Sequence, residues 1–553
     1  MRISNINNEF KVHAIAGTYV VTLGFDLPEE QCTGLLGFSI LRTDSTGRSK
    51  FLEGMKCFSE TDPGFPAGAV YPSNEHPIQI FQWADYSAEP GNQYIYKVSA
   101  LKGTPTNLQI FSECSVEVTT ESPEHGEHAV YFNRGTAASQ EYVRRFGDKE
   151  PKDVPENKAF EWLSRGLYEA IINFIDSCKP KKHSLRIAAY EFNYVPLLEI
   201  IEKAIIKGID IQIVYDSKGK SPGENNNILI DRYNLRQYSF PRTTYKSGIS
   251  HNKFIVKLEN NIPISLLTGG TNYSSGGIFG HSNVAHIVND KNVADLYMQY
   301  WTALRNDIDH KELIAAVEKI TTIPDINLPT GTSVLFSPRK NLTALTYYAD
   351  LALSAKDALF MTFAFGMNRT FKDVYQNSKA GFRLALLEKK TRGYSKDEED
   401  KKLEEEQEIQ KLRNLPENIF SIGNFIRTNK LDGWMQEQLS GLNKNVNYIH
   451  NKFMLIDPLS DDPIVVCGSA NFSDASTIKN DENMILIRGN TKIADIYLGE
   501  FMRLFSHFSF RESLQWRDLN GPPKPLRLDN WWKSSFGDSP NSAKRKYFAQ
   551  VDH

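Results

Sequence analysis

The sequence predicts an α/β protein built as two pseudo-symmetric lobes preceded by an all-β sandwich. Three observations predict it. Residues 1–125 break into short alternating segments. From about residue 128, strand-like runs alternate with amphipathic helical ones. The second half of the chain then repeats the first at an offset close to 199 residues.

The sandwich, residues 1–125, reads from "TYVVTLGFDL", "GFSILRT", "QYIYKVSAL" and "CSVEVTT". Each alternates apolar and polar positions between Gly, Pro or Asp breaks, the rhythm of half-buried antiparallel strands. "EPGNQYIYKVSA" resembles the fibronectin type III or immunoglobulin-like pattern, with Tyr94 as a tyrosine corner and Tyr96 and Val98 alternating along a strand. Trp83 is assigned to its core. No motif residue precedes His251, so this domain is expected to be separable from the chemistry and available to a protein partner.

The first lobe, residues 126–328, contains "SLRIAAYEF", "VPLLEIIEKAIIKG" and "IDIQIVYD", a strand, a helix closed by Gly208 and a strand. That is a βαβ unit. The second lobe, residues 329–553, repeats it: "AVYFNRG" (129–135) matches "SVLFSPR" (333–339), and "VADLYMQYW" (293–301) matches "IADIYLGEF" (493–501). "TTIPDINLPTGT" (321–332) is the linker between them. Residues 389–417 have no counterpart in the first lobe. Their Glu/Lys density and lack of an apolar stripe predict a solvated helical insertion.

Composition bounds the function. With 553 residues, 40% hydrophobic and 24% charged, the chain is an ordinary globular one with room for several cores. No basic n-region leads into an apolar run at the N-terminus, and no apolar run reaches the ~18 residues of a membrane span. Five scattered cysteines, none in a CxxC pair, read as reduced core residues and suggest the cytoplasm. Residues 1–125 carry 8 Lys+Arg against 15 Asp+Glu, a net −7, which leaves 56 basic and 52 acidic residues, a net +4, in the remainder. Only the motif-bearing part leans toward a polyanion.

Two stretches carry the chemistry. "SHNKFIVKLENNIPISLLTGGTNYSS" (250–275) and "YIHNKFMLIDPLSDDPIVVCGSANFSD" (448–474) align at 199 residues. His251 pairs with His450, Lys253 with Lys452, Gly269 with Gly468, Gly270 with Ser469 and Asn272 with Asn471. Positions two apart on a strand share a face, so each His and Lys are expected side by side. Two lysines can neutralise the non-bridging oxygens of a phosphodiester, and two asparagine amides can donate to them. Gly270 and Ser469 belong to the same phosphate-binding turns. One imidazole can attack phosphorus while the other protonates the departing oxygen, giving a phosphohistidine that the second then helps to hydrolyse. Elsewhere, His286 and His507 read as core or surface, and Asn252 and Lys257 as facing away from the site. No HExxH, EF-hand, cysteine cluster or Walker-type loop is present, so neither metal nor cofactor is implied.

These motifs resemble the signature of the phospholipase D superfamily, H-x-K-x4-D followed by G-[SG]-x-N. The second copy fits throughout: His450, Lys452, Asp457, Gly468, Ser469 and Asn471. The first has Leu258 in place of the aspartate, which in the family is structural. The resemblance covers roughly residues 128–553 and implies two α/β lobes meeting at one site. It makes His251 the nucleophile and His450 the general acid and base. "NDENMILI" supplies Glu482, which resembles the family's carboxylate behind a motif histidine. Set at an offset of 200, the first-lobe stretch "HSNVAHIV" places Ser282 opposite Glu482 and His281 opposite Asp481. Glu482 is therefore expected behind His450, with His251 needing another partner.

The motifs give the reaction and leave the substrate open. A nuclease cleaving DNA or RNA is favoured by the basic lean of the lobes. Phospholipase D-type hydrolysis or transphosphatidylation of phospholipids is the alternative, with "SSGGIFGHSN" (274–283) as a candidate apolar lipid loop or strand gate. A degenerate nucleic-acid-binding protein is the third.

Overall fold

The computed structural model describes residues 1–551 except 63–65, 67, 124–125, 136–138, 245–247, 325–326, 424–441, 443–447 and 516–523. Residues up to Thr119 form two four-stranded antiparallel sheets. One contains Arg2–Asn7, Phe10–Ala16, Val21–Asp26 and Gln82–Asp85; the other contains Gly37–Asp44, Ser49–Phe51, Gln93–Thr104 and Asn107–Thr119. Tyr94, Tyr96, Val98 and Ala100 bury their side chains while Ile95 stays exposed, which is the alternation of the sequence made structural. The Tyr94 hydroxyl accepts from Glu89 N at 3.1 Å.

Each lobe is a mixed seven-stranded sheet. The first contains β1 (His128–Phe132), β2 (His183–Ala189), β3 (Asp210–Asp216), β4 (Ser239–Arg242), β5 (Lys253–Glu259), β6 (Ile262–Gly269) and β7 (Val284–Val288). The second contains β8 (Gly331–Ser337), β9 (Ala358–Phe363), β10 (Phe382–Leu387), β11 (Asn418–Ile422), β12 (Phe453–Ile456), β13 (Ile464–Gly468) and β14 (Glu482–Arg488). The orders are β1-β7-β6-β5-β2-β3-β4 and β8-β14-β13-β12-β9-β10-β11, the same topology twice. In both, the second, third and fourth strands pair in parallel and the rest are antiparallel.

Helices α1 (Leu167–Asp176), α2 (Val195–Ile206) and α3 (Lys291–Arg305) of the first lobe correspond to α4 (Thr343–Leu353), α5 (Arg369–Asn377) and α7 (Thr491–Gln515) of the second. The inter-lobe core is built from α3 and α7. Tyr300 of α3 stacks on Phe336 of β8 at 4.3 Å, and Tyr497 of α7 meets Phe132 of β1 edge-on at 5.0 Å. Pairs of this kind add about 0.5–1.5 kcal/mol beyond their buried area. A fully buried ion pair, Arg242 to Asp481 at 3.0 Å, crosses between the lobes as well.

Two expectations need correction. The insertion helix α6 (Glu399–Arg413) is not wholly solvated: Glu405, Ile409 and Leu412 form a buried i, i+4, i+7 stripe, with the Glu405 carboxylate held by Lys372 at 2.9 Å. The segment 274–283 is no open loop. Ile278 and Phe279 are buried, with Phe279 against Phe160, Tyr168 and Tyr194, because an aromatic set from neighbouring elements closes over it. The stretch "DNWWKSSF" packs on the sandwich. Trp531 lies against Phe38 and Phe81, and its Nε1 donates to Leu35 O at 2.8 Å. Behind it, α8 (Pro540–Ala549) comes so close to the strand Val21–Asp26 that a Cβ on Gly24 would lie 2.2 Å from Phe548 backbone.

Candidate active site

Both motifs sit where strands of the two lobes meet. His251 and His450 precede β5 and β12 and are not ladder residues, because each segment pairs with the other lobe. Ser250 bridges Asp481, and Ile449 bridges Ser282, with His251 N donating to Asp481 O at 3.0 Å and Ser282 N to Tyr448 O at 2.8 Å. One further carboxylate anchors each entry. Asp216, at the end of β3, accepts from Ser250 N at 2.8 Å, and Glu388, just past β10, accepts from Ile449 N at 2.8 Å. Neither was singled out from sequence. Both sit at the end of corresponding strands, and that was the available signal.

The pairing across the lobes decides which group orients which histidine. Glu482 Oε2 lies 2.9 Å from His251 Nδ1, not beside His450. His450 Nδ1 instead meets Asn283 Oδ1 at 3.0 Å. The expected assignment failed because the offset of 200 holds only downstream. Val288 ends β7, whereas β14 runs one residue past its equivalent, Ile487, before a turn of the same two-residue length leads into the helix. Up to β14 the offset is 199, which sets Asn283 opposite Glu482, Ser282 opposite Asp481 and His281 opposite Asn480. The Asn283 amide donates to Gly277 O at 2.7 Å, so its oxygen faces the imidazole and His450 Nδ1 carries a hydrogen. Glu482, buried completely, is itself steadied by Asn480 Nδ2 at 3.1 Å.

The remaining candidates fall into two groups. Lys253 Nζ donates to His251 O, and Lys452 Nζ to His450 O at 2.6 Å, so each lysine is tied to its own histidine. Lys253 also lies under the Tyr190 ring, which meets His251 at 4.8 Å. Asn272 and Asn471 have buried amide oxygens without a hydrogen-bond partner among the described residues. Ser469 is committed: its Oγ accepts from Asn483 N at 3.0 Å and is buried completely. Gly270 packs beside Asn283 Oδ1 and His450 O, while Gly269 at φ +137° lets Val284 O approach to 2.2 Å of where a Cβ would be. Asn252 turns from the site to accept from Asn483 Nδ2 at 2.8 Å. His281, given no role beyond its alignment in the sequence, lies 4.6 Å from the His450 ring.

The family described as cardiolipin synthase, PLD-like domain, matches residues 171–305 and 349–505, one segment in each lobe. The chain belongs to the phospholipase D superfamily. Similar solved structures include phosphatidylserine synthase of Haemophilus influenzae, 12% identical over 62% of this chain and 85% of that one, with a TM-score of 0.44. Yeast tyrosyl-DNA phosphodiesterase is 11% identical over 58% of this chain and 87% of its own, with a TM-score of 0.32. Nuc of Salmonella typhimurium is 24% identical over 25% of this chain and 87% of its own, with a TM-score of 0.22. No curated protein sequence matches the chain.

In this phospholipase D-like site the charges are tuned by burial. Burial holds His251 down to about 4, against the pull of Glu482, so the imidazole is neutral at pH 7 with its Nδ1 hydrogen on the carboxylate. His450 is pushed well below its usual value by burial, then by Lys452, His281, Lys253 and His251. Burial likewise brings Lys253 down to about 7 and Lys452 well below the usual lysine range. A phosphodiester monoanion placed among these four groups reverses the trend, favouring the protonated forms of both lysines and of His450. The superfamily's second-motif aspartate is structural here: Asp457 accepts from the backbone N of Lys356, Asp357 and Ala358 at 2.8–3.1 Å. Leu258, its first-lobe counterpart, is buried in the apolar core.

Proposed function

We propose that the protein is a metal-independent phosphodiesterase that cleaves nucleic acid through a phosphohistidine on His251. The observation that carries the role assignment is the Glu482 carboxylate 2.9 Å from His251 Nδ1, against a neutral amide at His450. The Nε2 lone pair of His251 attacks phosphorus, and Glu482 stabilises the imidazolium that forms. The P–O bond to the leaving group breaks as His450 Nε2 gives its proton to that oxygen. Water then attacks phosphorus, His450 takes its proton, and the P–N bond breaks to release a phosphomonoester and neutral His251. Lys253 and Lys452 supply the positive charge, with Asn272 and Asn471 as the further donors. The sandwich, with its fibronectin III-like strand pattern, is read as a scaffold and protein-docking module.

Phosphatidyl hydrolysis or transfer is the second reading, favoured by the family description, cardiolipin synthase, PLD-like domain. Against it, Ile278 and Phe279, the apolar pair that a lipid loop would expose, are buried. Both His/Lys/Asn sets are complete, which argues against a degenerate binder. The test is turnover of labelled single-stranded DNA, duplex DNA, RNA and phosphatidylcholine vesicles, each with EDTA. EDTA-resistant cleavage of a nucleic acid is expected; turnover of the vesicles alone would replace this reading with the lipid one. On p-nitrophenyl esters, His251→Ala should be inert, while His450→Ala should accumulate an acid-labile adduct on His251, detected by mass spectrometry of the quenched protein. An adduct on His450 in the His251→Ala protein would reverse the roles.

A further inference from the structure

One face of the site is unlike its pseudo-symmetric partner. On the His251 side, Tyr190 is partly buried with its ring 4.8 Å from that of His251, and Glu191 accepts from Ser274 Oγ at 2.6 Å. On the His450 side, the residue at the place of Glu191 is Phe365, 45% exposed and the tip of a tight turn that follows β9. Its ring centroid lies 6.5 Å from that of His450 and 6.0 Å from Lys452 Nζ. An exposed phenyl ring beside two catalytic groups offers a flat aromatic face on which a planar group can stack.

The turn is built to hold that ring outward. Ala364 and Gly366 bridge across Phe365, and Gly366 adopts φ +87°, a conformation that favours glycine. A Cβ on Gly366 would lie 3.0 Å from Arg392 N, so residue 392 of the charged insertion is packed directly against the turn. The insertion leaves β10 through Glu388, which anchors the second motif, and continues as "KKTRGY". Lys389 is exposed and makes no ion pair among the described residues. Arg392 has its side chain 51% exposed, steadied by Glu405 at 3.3 Å. Aromatic face, cations and catalytic histidine thus share one edge of the second lobe. In the first lobe the same connection, 217–238, is shorter and carries its own helix, Asn225–Arg232.

We propose that Phe365, Lys389 and Arg392 form a rim that holds single-stranded nucleic acid on the His450 side of the site, one base stacked on Phe365. This rests on the nuclease reading above and names the strand form it takes. Base–aromatic stacking tolerates any base and needs an unpaired one, while Lys and Arg follow the phosphates. A duplex keeps its bases stacked on each other and offers Phe365 nothing.

The test uses short single-stranded DNA oligomers in which one nucleoside at a time is abasic. For the full chain, one abasic position should lower kcat/KM about tenfold, within the range of a lost base–aromatic stack. Phe365→Ala should show no such dependence on that base, and Phe365→Trp should restore it. With His251→Ala as an inert binder, adding Lys389→Glu should reduce the salt slope of log Kd by about 0.7 for each phosphate that is no longer neutralised. If intact oligomers are cleaved with the same abasic profile by wild type and Phe365→Ala, the rim is wrong and the nuclease reading stands. If no oligomer is cleaved while methyl p-nitrophenyl phosphate is, both fall. Faster cleavage of duplex than of single strands would overturn the rim as well.

Discussion

Glu482 and Asn283 stand at equivalent points of the two lobes and give two equivalent histidines different chemistry. A carboxylate at Nδ1 favours an imidazolium that must form during attack; an amide oxygen fixes a tautomer without adding charge. Glu482→Gln should therefore cut formation of the His251 adduct by about 10²–10⁴-fold in a burst experiment with a p-nitrophenyl ester. A burst of wild-type size would show that Glu482 is not the orienter. Asn283→Asp is the converse change. A carboxylate beside His450 raises its pKa, so the acid keeps its proton to higher pH and the alkaline limb of kcat moves up by about one unit or more. An unmoved limb would mean that His450 is not the acid. Lys253 sets a different limb. With burial bringing it to about 7, the free enzyme loses this cation as pH rises through 7, and kcat/KM on an anionic ester should fall there. A kcat/KM profile flat from pH 6 to 9 would refute a phosphate-binding ammonium at Lys253.

At the scale of elements, the repeated motifs made both lobes legible, because a strand–helix–strand pattern and a twice-written H-x-K leave few other folds. The crossing of the orienting groups was not legible. It depends on Ser250 bridging Asp481 and Ile449 bridging Ser282, pairings between segments more than 160 residues apart. Nor did the insertion's Glu/Lys density reveal its buried stripe, since only Ile409 and Leu412 are apolar on that face. Asp457 was readable from the motif, and its bonds give its role. Its carboxylate ties the turn after β12 to the backbone entering β9, away from the histidines. Asp457→Ala should lower stability by about 2 kcal/mol or more, as hydrogen bonds to a charged acceptor are worth roughly 1.5–3 kcal/mol each. Thermal melting and kcat measured well below the transition check it: the melting point should drop while kcat of the folded protein changes little. A large loss of kcat with unchanged melting would make Asp457 part of the chemistry.

At the scale of the whole molecule, the sandwich is locked to the lobes from both chain ends. Arg2 pairs with Asp495 of α7 at 2.7 Å and donates to Leu459 O at 2.7 Å. Tyr19 lies under Arg165 of the first lobe, and Arg165 pairs with Glu500 of the second at 2.5 Å. From the other end, Trp531 and Trp532 complete the sandwich core, and the Arg545 guanidinium pairs with Asp26. Sequence reading treated residues 1–125 as separable because it sees motifs and local periodicity, not a chain end returning from 400 residues away. Removing residues 1–125 would expose Trp531 and Trp532 along with the face of α8 that carries Phe548. Each large apolar side chain gives up roughly 1.5–3 kcal/mol when uncovered, against a total stability of only about 5–15 kcal/mol. A 126–553 fragment is therefore expected to be insoluble or to melt well below the full chain. Gly24→Val in the full chain tests the same packing without truncation, since a side chain there meets the Phe548 backbone. It should lower the melting temperature and expose tryptophan to a fluorescence quencher, while wild type unfolds in one transition. A soluble 126–553 fragment with the full chain's melting temperature and turnover would show that the sandwich is an independent module after all.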